Sequence, residues 1–322
     1  MIFTAGDKMG KNNPNYDNII LGSGIAGLII FYYLAEDAKT TNIILTNDIG
    51  GQISSKFPLG PRYLHYNKDT EILLKRLGFD VKTKEIFIGY KTGSEIRNYP
   101  TEEFKELYCI KSRNTKNIES SFLSGGGKSN FTAFTTSQTA LGKSLVNRCL
   151  KIAEKSKNNS ISIENVINIS FKKINTDKNI YYSNNIISTI PLNSLLKIMS
   201  NSSMSINISA KPESISFFLV DDREKSPFDY IYSVSDIWHR KTYIPELKKW
   251  VYETRNEKEF EKECKYDIID KKTLNTQITN SLNLKEIANI KLVGRYAQMN
   301  HSIKTEDVIK WAYNYTRKFK KN

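Results

Sequence analysis

The chain has 322 residues, enough to bury a large core and to divide into two domains. Hydrophobic residues make up 39% and charged residues 25%, a balance that excludes a disordered chain. The formal net charge of +14 leaves two readings open: an anionic partner, or a compositional bias toward lysine. The lysines are spread along the chain. The dense basic group Arg317, Lys318, Lys320 and Lys321 lies at the end, where a solvated tail serves equally well. Cys109, Cys149 and Cys264 are dispersed, as are His65, His239 and His301. Neither set has metal-ligand or disulfide spacing, and a reducing cytoplasm fits. Residues 1–15 are polar and read as a flexible leader without the apolar stretch of a signal peptide. The apolar run from Ile19 to Leu34 is broken by Gly22, Ser23, Gly24 and Gly27, so no membrane span is expected.

In chain order, Ile19-Ile20-Leu21 reads as a buried parallel strand ending at Gly22. A glycine turn follows, then a helix over Leu28–Glu36 and a second buried strand, Ile43-Ile44-Leu45. Strand, turn, helix and strand within about 30 residues make a βαβ unit. Gly50-Gly51-Gln52 is a tight turn, and Asp69–Leu77 has helical spacing that stops at Gly78. Residues 79–135 look irregular, with a strand-like Ile86-Phe87-Ile88 and a flexible Ser124–Lys128 loop. A helix is expected over Ala140–Ser156, one strand over Ser162–Ile169, and another within Ile180–Ile190, ended by Pro191. A short helix over Asn193–Met199 comes next. Ile206–Asp221 and Tyr230–Thr242 are β-rich, with strands at Trp250–Thr254 and Leu292-Val293. The closing helix runs from Thr305 to Lys318, with Glu306 and Asp307 in its first turn.

The turn Gly22-Ser23-Gly24-Ile25-Ala26-Gly27 carries the strongest local chemistry. Gly22 permits a sharp exit from the strand, Gly24 lets a pyrophosphate approach the backbone, and Gly27 lets the helix pack on the strand. The helix start then offers free N–H groups to phosphate. An acid is expected to end the second strand and bind ribose hydroxyls. Thr46 stands there instead, followed by Asn47 and Asp48.

Several segments recur in an order that resembles a known family. Tyr16–Gly27 with Gly50-Gly51 is similar to the amino terminus of the flavin-containing amine oxidase superfamily. That superfamily includes monoamine oxidases, protoporphyrinogen oxidase, phytoene desaturases and UDP-galactopyranose mutase. Gly60-Pro61-Arg62-Tyr63-Leu64-His65 resembles the mutase segment that passes the flavin, with Arg62 in place of its first histidine. Ile186-Ile187-Ser188-Thr189-Ile190-Pro191-Leu192 resembles the strand-to-proline turn of the desaturase and protoporphyrinogen oxidase branch. Gly294-Arg295-Tyr296-Ala297 resembles the carboxy-terminal FAD motif.

The resemblance implies FAD as cofactor and an α/β fold: a Rossmann-type FAD-binding domain built on a parallel sheet, with a second, β-rich α+β substrate domain. The FAD domain would be discontinuous, over 16–60, 140–195 and 288–322, with 61–139 and 196–287 forming the substrate domain. Expected cofactor contacts are Gly22, Gly24, Ile25, Ala26, Gly27, Thr46, Asn47, Gly51, Gln52, Val166, Gly294 and Arg295. Val166 would pair with adenine through its backbone. Arg295 can hold pyrophosphate as a fixed cation. Arg62, His65, His239 and Arg240 are catalytic candidates. Tyr63, Tyr230, Tyr232 and Trp238 are candidates for a substrate wall, since alternation through Tyr230–Arg240 would turn every second residue to one cavity.

Four functional readings stay open. One is an amine-oxidase-type oxidoreductase that takes hydride from a C–H bond next to nitrogen, or from one otherwise activated. Another is a non-redox isomerase resembling UDP-galactopyranose mutase, for which a nucleotide-sugar suits the basic charge. The others are a virus-type flavoenzyme modifying a base in nucleic acid, and a degenerate FAD-fold binding protein, which Thr46 suggests. The partner is accordingly a small-molecule or nucleotide-like substrate, with nucleic acid as a further option.

Overall fold

A computed structural model of the chain describes residues 15–36, 39–53, 63–112, 129–199, 212–245, 247–278, 282, 284–300 and 302–319. The elements begin with β1 (Asn15–Leu21), α1 (Ile25–Leu34), β2 (Asn42–Thr46), β3 (Tyr63–His65) and α2 (Lys68–Arg76). Then come β4 (Thr83–Thr92), β5 (Glu95–Arg97), α3 (Glu102–Ser112), β6 (Asn130–Ser137) and α4 (Gln138–Lys155). The middle holds β7 (Asn159–Ile163), β8 (Val166–Ser170), β9 (Lys173–Thr176), β10 (Ile180–Ser188) and α5 (Leu192–Met199). Next are β11 (Pro212–Val220), β12 (Tyr230–Ser233), β13 (Arg240–Ile244), β14 (Lys249–Thr254), α6 (Glu257–Glu263) and β15 (Ile268–Ile278). The chain closes with β16 (Glu286–Ile287), β17 (Ile290–Leu292) and α7 (Thr305–Phe319). Among these helices none is long and apolar enough to cross a membrane.

The first sheet has the order β16-β17-β10-β1-β2-β7, with β9 added to β10 and β8 to β9. β17, β10, β1, β2 and β7 run parallel. The apolar runs Ile19–Leu21, Ile43–Leu45 and Ile186-Ile187 are continuous because both faces are covered. Ile20, Ile44 and Ile187 join the cluster under α1, α4 and α7. Ile19, Leu21, Ile43, Leu45 and Ile186 join the cluster under α5 on the other face. Helix α1 is buried from Gly27 to Leu34, which explains an apolar surface all round. The chain leaves β1 toward β2 on one side and returns through β10 on the other. β1 therefore ends at a topological switch point, where sheets of this kind open a crevice.

The opposite edge of that sheet is closed by amides. The Asn18 side chain donates to Asn42 at 2.8 Å, and Asn42 donates to Asn159 at 2.8 Å. Asn159 donates onward to Ser156, and the Tyr315 hydroxyl donates to Asn18 at 3.2 Å. The three asparagines are buried, and the chain of bonds ties α7 to three strands.

The second sheet has the order β15-β11-β14-β13-β12-β4-β6-β3, with β5 on β4. It is antiparallel except for the β12–β4 pair. Residues 79–135, expected to be irregular, contain β4, β5, α3 and β6. The alternation Ile86, Ile88, Tyr90 builds one buried face of β4, but the charged residues around it and the exposed Phe87 hide the pattern. The single strand expected over Ser162–Ile169 is two, β7 and β8, broken at Glu164-Asn165. There the buried Glu164 carboxylate accepts hydrogen bonds from Ser162, Thr176, Asn179 and Tyr181. The Tyr230–Thr242 stretch is likewise two strands joined by a turn, so alternation does not run through it. The Ser124–Lys128 loop and the start of the Ile206–Asp221 stretch lie outside the described residues.

Asn42→Leu leaves the Asn18 amide and the Asn159 oxygen buried without their partner. It is expected to lower unfolding free energy by about 2–4 kcal/mol, read from the urea midpoint. The Ser188 hydroxyl, fully buried, has no hydrogen-bond partner among the described residues. Ser188→Ala is expected to leave that midpoint unchanged or raise it by up to about 1 kcal/mol.

Candidate functional site

The site starts from a steric fact about the glycine turn. A Cβ on Gly27 would lie 2.0 Å from the Gly22 carbonyl oxygen. Gly22 itself has φ +93°, and a Cβ there would meet the Thr189 hydroxyl at 2.9 Å. That hydroxyl donates to the Leu21 carbonyl at 2.9 Å, pinning the end of β10 to the end of β1. Gly24 differs from both, because nothing lies within 4 Å of where its Cβ would be. The backbone is thus tight behind the turn and open in front of it.

Helix α1 begins directly after Gly24, with no side-chain cap and no acid in its first turn. The N–H groups of that turn are left to a ligand or to water. Two distant segments frame them. A Cβ on Gly51, at φ +54°, would lie 3.3 Å from the Gly24 Cα, and one on Gly294, at φ +96°, would lie 3.2 Å from the Ala26 Cβ. Glycine at both positions lets a backbone pass close beside the helix start. Gly22, Gly24, Ile25, Ala26, Gly27, Gly51 and Gly294 therefore converge, as the sequence motif requires. These residues fit a pyrophosphate: an open glycine cradle, uncapped N–H donors and no opposing carboxylate in the first turn.

The remaining expected contacts are placed as follows. Gln52 is half-buried in a single helical turn, Gly51–Ile53, beside the cradle. Thr46 ends β2 with its side chain buried, and Asn47 is exposed beyond it. Val166 opens β8, two residues past Glu164, whose N–H donates to the Thr46 carbonyl at 2.9 Å. Arg295 donates through Nε to the Ile303 carbonyl at 3.1 Å and so holds the loop before α7. The start of α7 carries its own acids: the Asp307 carboxylate accepts the Lys304 N–H at 2.8 Å. Sequence reasoning missed Ser23, Thr189 and Glu164 as parts of the architecture. Their shared signal is a polar side chain just past the carboxyl end of a strand of the parallel sheet.

The candidates for chemistry divide into groups. Arg62 lies outside the described residues. His65 stacks on Phe131 with centroids 4.2 Å apart, at the junction where the Gln138 side chain donates to the Thr305 hydroxyl. Burial, with the nearby Lys304 charge, pulls the His65 imidazole down to about 4, so it is neutral at pH 7. Tyr63 meets Tyr230 edge-on at 5.4 Å. Tyr230 and Tyr232 are buried under α3, whose Tyr108 contacts Tyr232 at 5.6 Å. The Arg240 guanidinium sits 5.6 Å from the Tyr230 ring and donates through Nε to Glu253 at 2.7 Å. Burial works against the Glu253 charge, but Arg240 and His239 beside it prevail and hold the carboxyl at about 2. Trp238 packs on the other face of the sheet, with Ile231 and Trp250. Tyr230, Tyr232 and Arg240 thus share one face, and Trp238 does not. A separate cavity of about 700 Å³, lined by Phe87, Ile96, Tyr99 and Phe228 among others, lies at the β4–β5 hairpin and does not include the glycine turn.

The chain is an α/β protein with mixed sheets whose fold matches that of solved structures of the flavin amine oxidase type. The chain is similar in structure to an oxidoreductase from Methanosarcina mazei, at 11% identity and TM-score 0.61, over 93% of this chain and 99% of that one. It is similar to wild-type putrescine oxidase bound to putrescine, at 10% identity and TM-score 0.60, over 96% and 99%. It is also similar to reduced UDP-galactopyranose mutase, at 13% identity and TM-score 0.59, over 94% and 93%. No family model matches the chain, and no curated protein sequence does.

His65 supplies a pH test. Its folded value lies below its unfolded value of 6.5, so the unfolded chain binds the extra proton as pH falls from about 6.5 toward 4. Stability should decline over that window with a slope of up to about 1.4 kcal/mol per pH unit. His65→Gln should flatten the slope, measured as the urea midpoint between pH 7 and pH 4.5.

Proposed function

We propose that the chain is an FAD-dependent oxidoreductase of the amine-oxidase type. Its substrate would be a small molecule that gives up hydride from a C–H bond next to nitrogen, or from one otherwise activated. The observation that carries this reading is the open glycine cradle at the switch point of a sheet whose fold is that of FAD-binding flavoproteins. When bound, the flavin supplies the hydride acceptor. The protein's part is binding, orientation and electrostatics. Ile25 and Ala26 present N–H groups to the pyrophosphate, Gly24 leaves room for it, and Gly51 and Gly294 line its flanks. Arg295 acts on this reading by fixing the loop ahead of α7. A neutral His65 is suited to donate or accept a hydrogen bond near the ring without changing charge around pH 7.

We assign residues 16–60, 140–195 and 288–322 to the cofactor-binding domain and 61–139 with 196–287 to the substrate domain. The two sheets support this division, except that Glu286–Ile287 pairs in the first sheet. The first draws its strands from 15–46, 159–188 and 286–292, and the second from 63–137 and 212–278.

Absorption of the purified protein, before and after incubation with FAD and desalting, tests the reading. Retained flavin bands that bleach with an amine or another activated substrate support it. A colourless protein that retains no added FAD overturns it. Two glycines sharpen the test. Gly24→Ala has space for its methyl and should keep the wild-type melting temperature while lowering flavin affinity at least about tenfold, the scale of one lost charge-assisted hydrogen bond. Gly27→Ala has no space and should lose both the fold's stability and the flavin.

A further inference from the structure

In a turn of this type an acid at the end of the second strand grips the ribose hydroxyls. Here the residue is Thr46, and its hydroxyl is already engaged. Thr46 Oγ1 donates to the Asp48 carbonyl at 2.8 Å and lies 2.9 Å from Ser23 Oγ. Ser23 Oγ is 2.7 Å from the same carbonyl and accepts the Gly50 N–H at 3.1 Å. Both hydroxyl protons serve these oxygen contacts, and the acceptor lone pairs that remain are buried with the side chains. Both side chains are turned inward: Ser23 is 2% exposed and Thr46 7%. The Thr46 carbonyl is taken as well, by the Glu164 N–H. Glu164, the carboxylate beside it along the sheet edge, is 4% exposed and accepts from four side chains. Its oxygens are buried against those donors.

We infer that the adenosine ribose goes unread in this protein, because Ser23 and Thr46 form a hydroxyl latch that binds the loop after β2 to the glycine turn. The latch does mechanically what the acid would do chemically. It sets Gly50 and Gly51 against Gly24, so that the cradle is shaped without help from the ligand. The site then takes a flavin adenine dinucleotide with or without its adenosine 2′-hydroxyl, and affinity rests on the pyrophosphate and the flavin end. This inference rests on the FAD reading above.

The test compares FAD with its analogue lacking the 2′-hydroxyl on the adenosine ribose, each titrated calorimetrically into flavin-free full-length protein. The expected dissociation constants agree within about twofold, since no charge-assisted hydrogen bond separates them. Thr46→Val, which keeps the shape and removes the hydroxyl, should lower the melting temperature and leave that ratio near one. A wild-type preference of tenfold or more for FAD overturns the inference. If Thr46→Val abolishes such a preference, Thr46 reads the ribose. If Asp48→Asn abolishes it, the loop acid does. The wild-type ratio decides the matter even where a variant fails to fold. Binding of neither dinucleotide overturns the FAD reading and this inference with it, whereas unequal binding overturns this inference alone.

Discussion

Everything at the candidate site depends on one contact that leaves no room for a methyl group, the approach of Gly27 to the Gly22 carbonyl. Because α1 lies that close to the end of β1, its first turn projects past the strand ends, out of the packed layers. Because α1 is apolar on every side, it cannot rotate or lift away without exposing Leu28 through Leu34. The uncapped N–H groups are held in place by burial elsewhere, and the ligand need not organise them.

The two edges of the first sheet are closed by different chemistry, and the difference suits their tasks. At the amino-terminal edge, three asparagines and Tyr315 satisfy one another across strands that are more than a hundred residues apart in sequence, as Asn42 and Asn159 are. Such a network tolerates no partial loss, so it fixes strand order and register. At the carboxyl-terminal edge, around the glycine turn, the polar groups are short hydroxyls: Ser23, Thr46 and Thr189. They bind backbone carbonyls of neighbouring turns and stay below the surface. What the glycine turn presents to the crevice is backbone, which suits a ligand whose phosphates are recognised by N–H groups.

The sequence was most legible where local physics and function agree. Gly22, Gly24 and Gly27 could be assigned separate roles from spacing alone, and the structure gives each a distinct steric environment. The closing helix, the Asn193–Met199 helix and the buried strands followed from periodicity. Legibility failed where a tertiary contact decides the matter. The break at Glu164 depends on four donors, three of them twelve or more residues further on. Helix α6 is charged along nearly its whole length, and Phe260 alone of its side chains is buried. Strand β15 is polar and paired on one side only, the composition of a protected edge rather than of a core strand. The substrate-wall candidates were a mixed case. Tyr230, Tyr232 and Arg240 do share a face, but through two strands of a hairpin, while the turn between them sends Trp238 to the other side.

That hairpin shows how the second sheet keeps its register. Arg240 and Lys241 are neighbours on β13, so they point to opposite faces, and each meets a buried acid there. Arg240 pairs directly across with Glu253 on β14, over the rings of Tyr230 and Tyr232. Lys241 meets Asp222 at 3.1 Å and lies 4.5 Å from the Trp250 ring, with the Tyr252 hydroxyl donating to the same acid. Neither pair is a strong source of stability, since desolvation offsets most of the attraction. Their effect is on alternatives. A slip of one residue between β13 and β14 would set Lys241 or His239 opposite Glu253 and Thr242 or Arg240 beside Asp222, so that in either direction one acid loses its fixed cation. The loss at that acid would be about several kcal/mol. The buried charges under α3 therefore favour one strand register over its neighbours, independently of any role in chemistry.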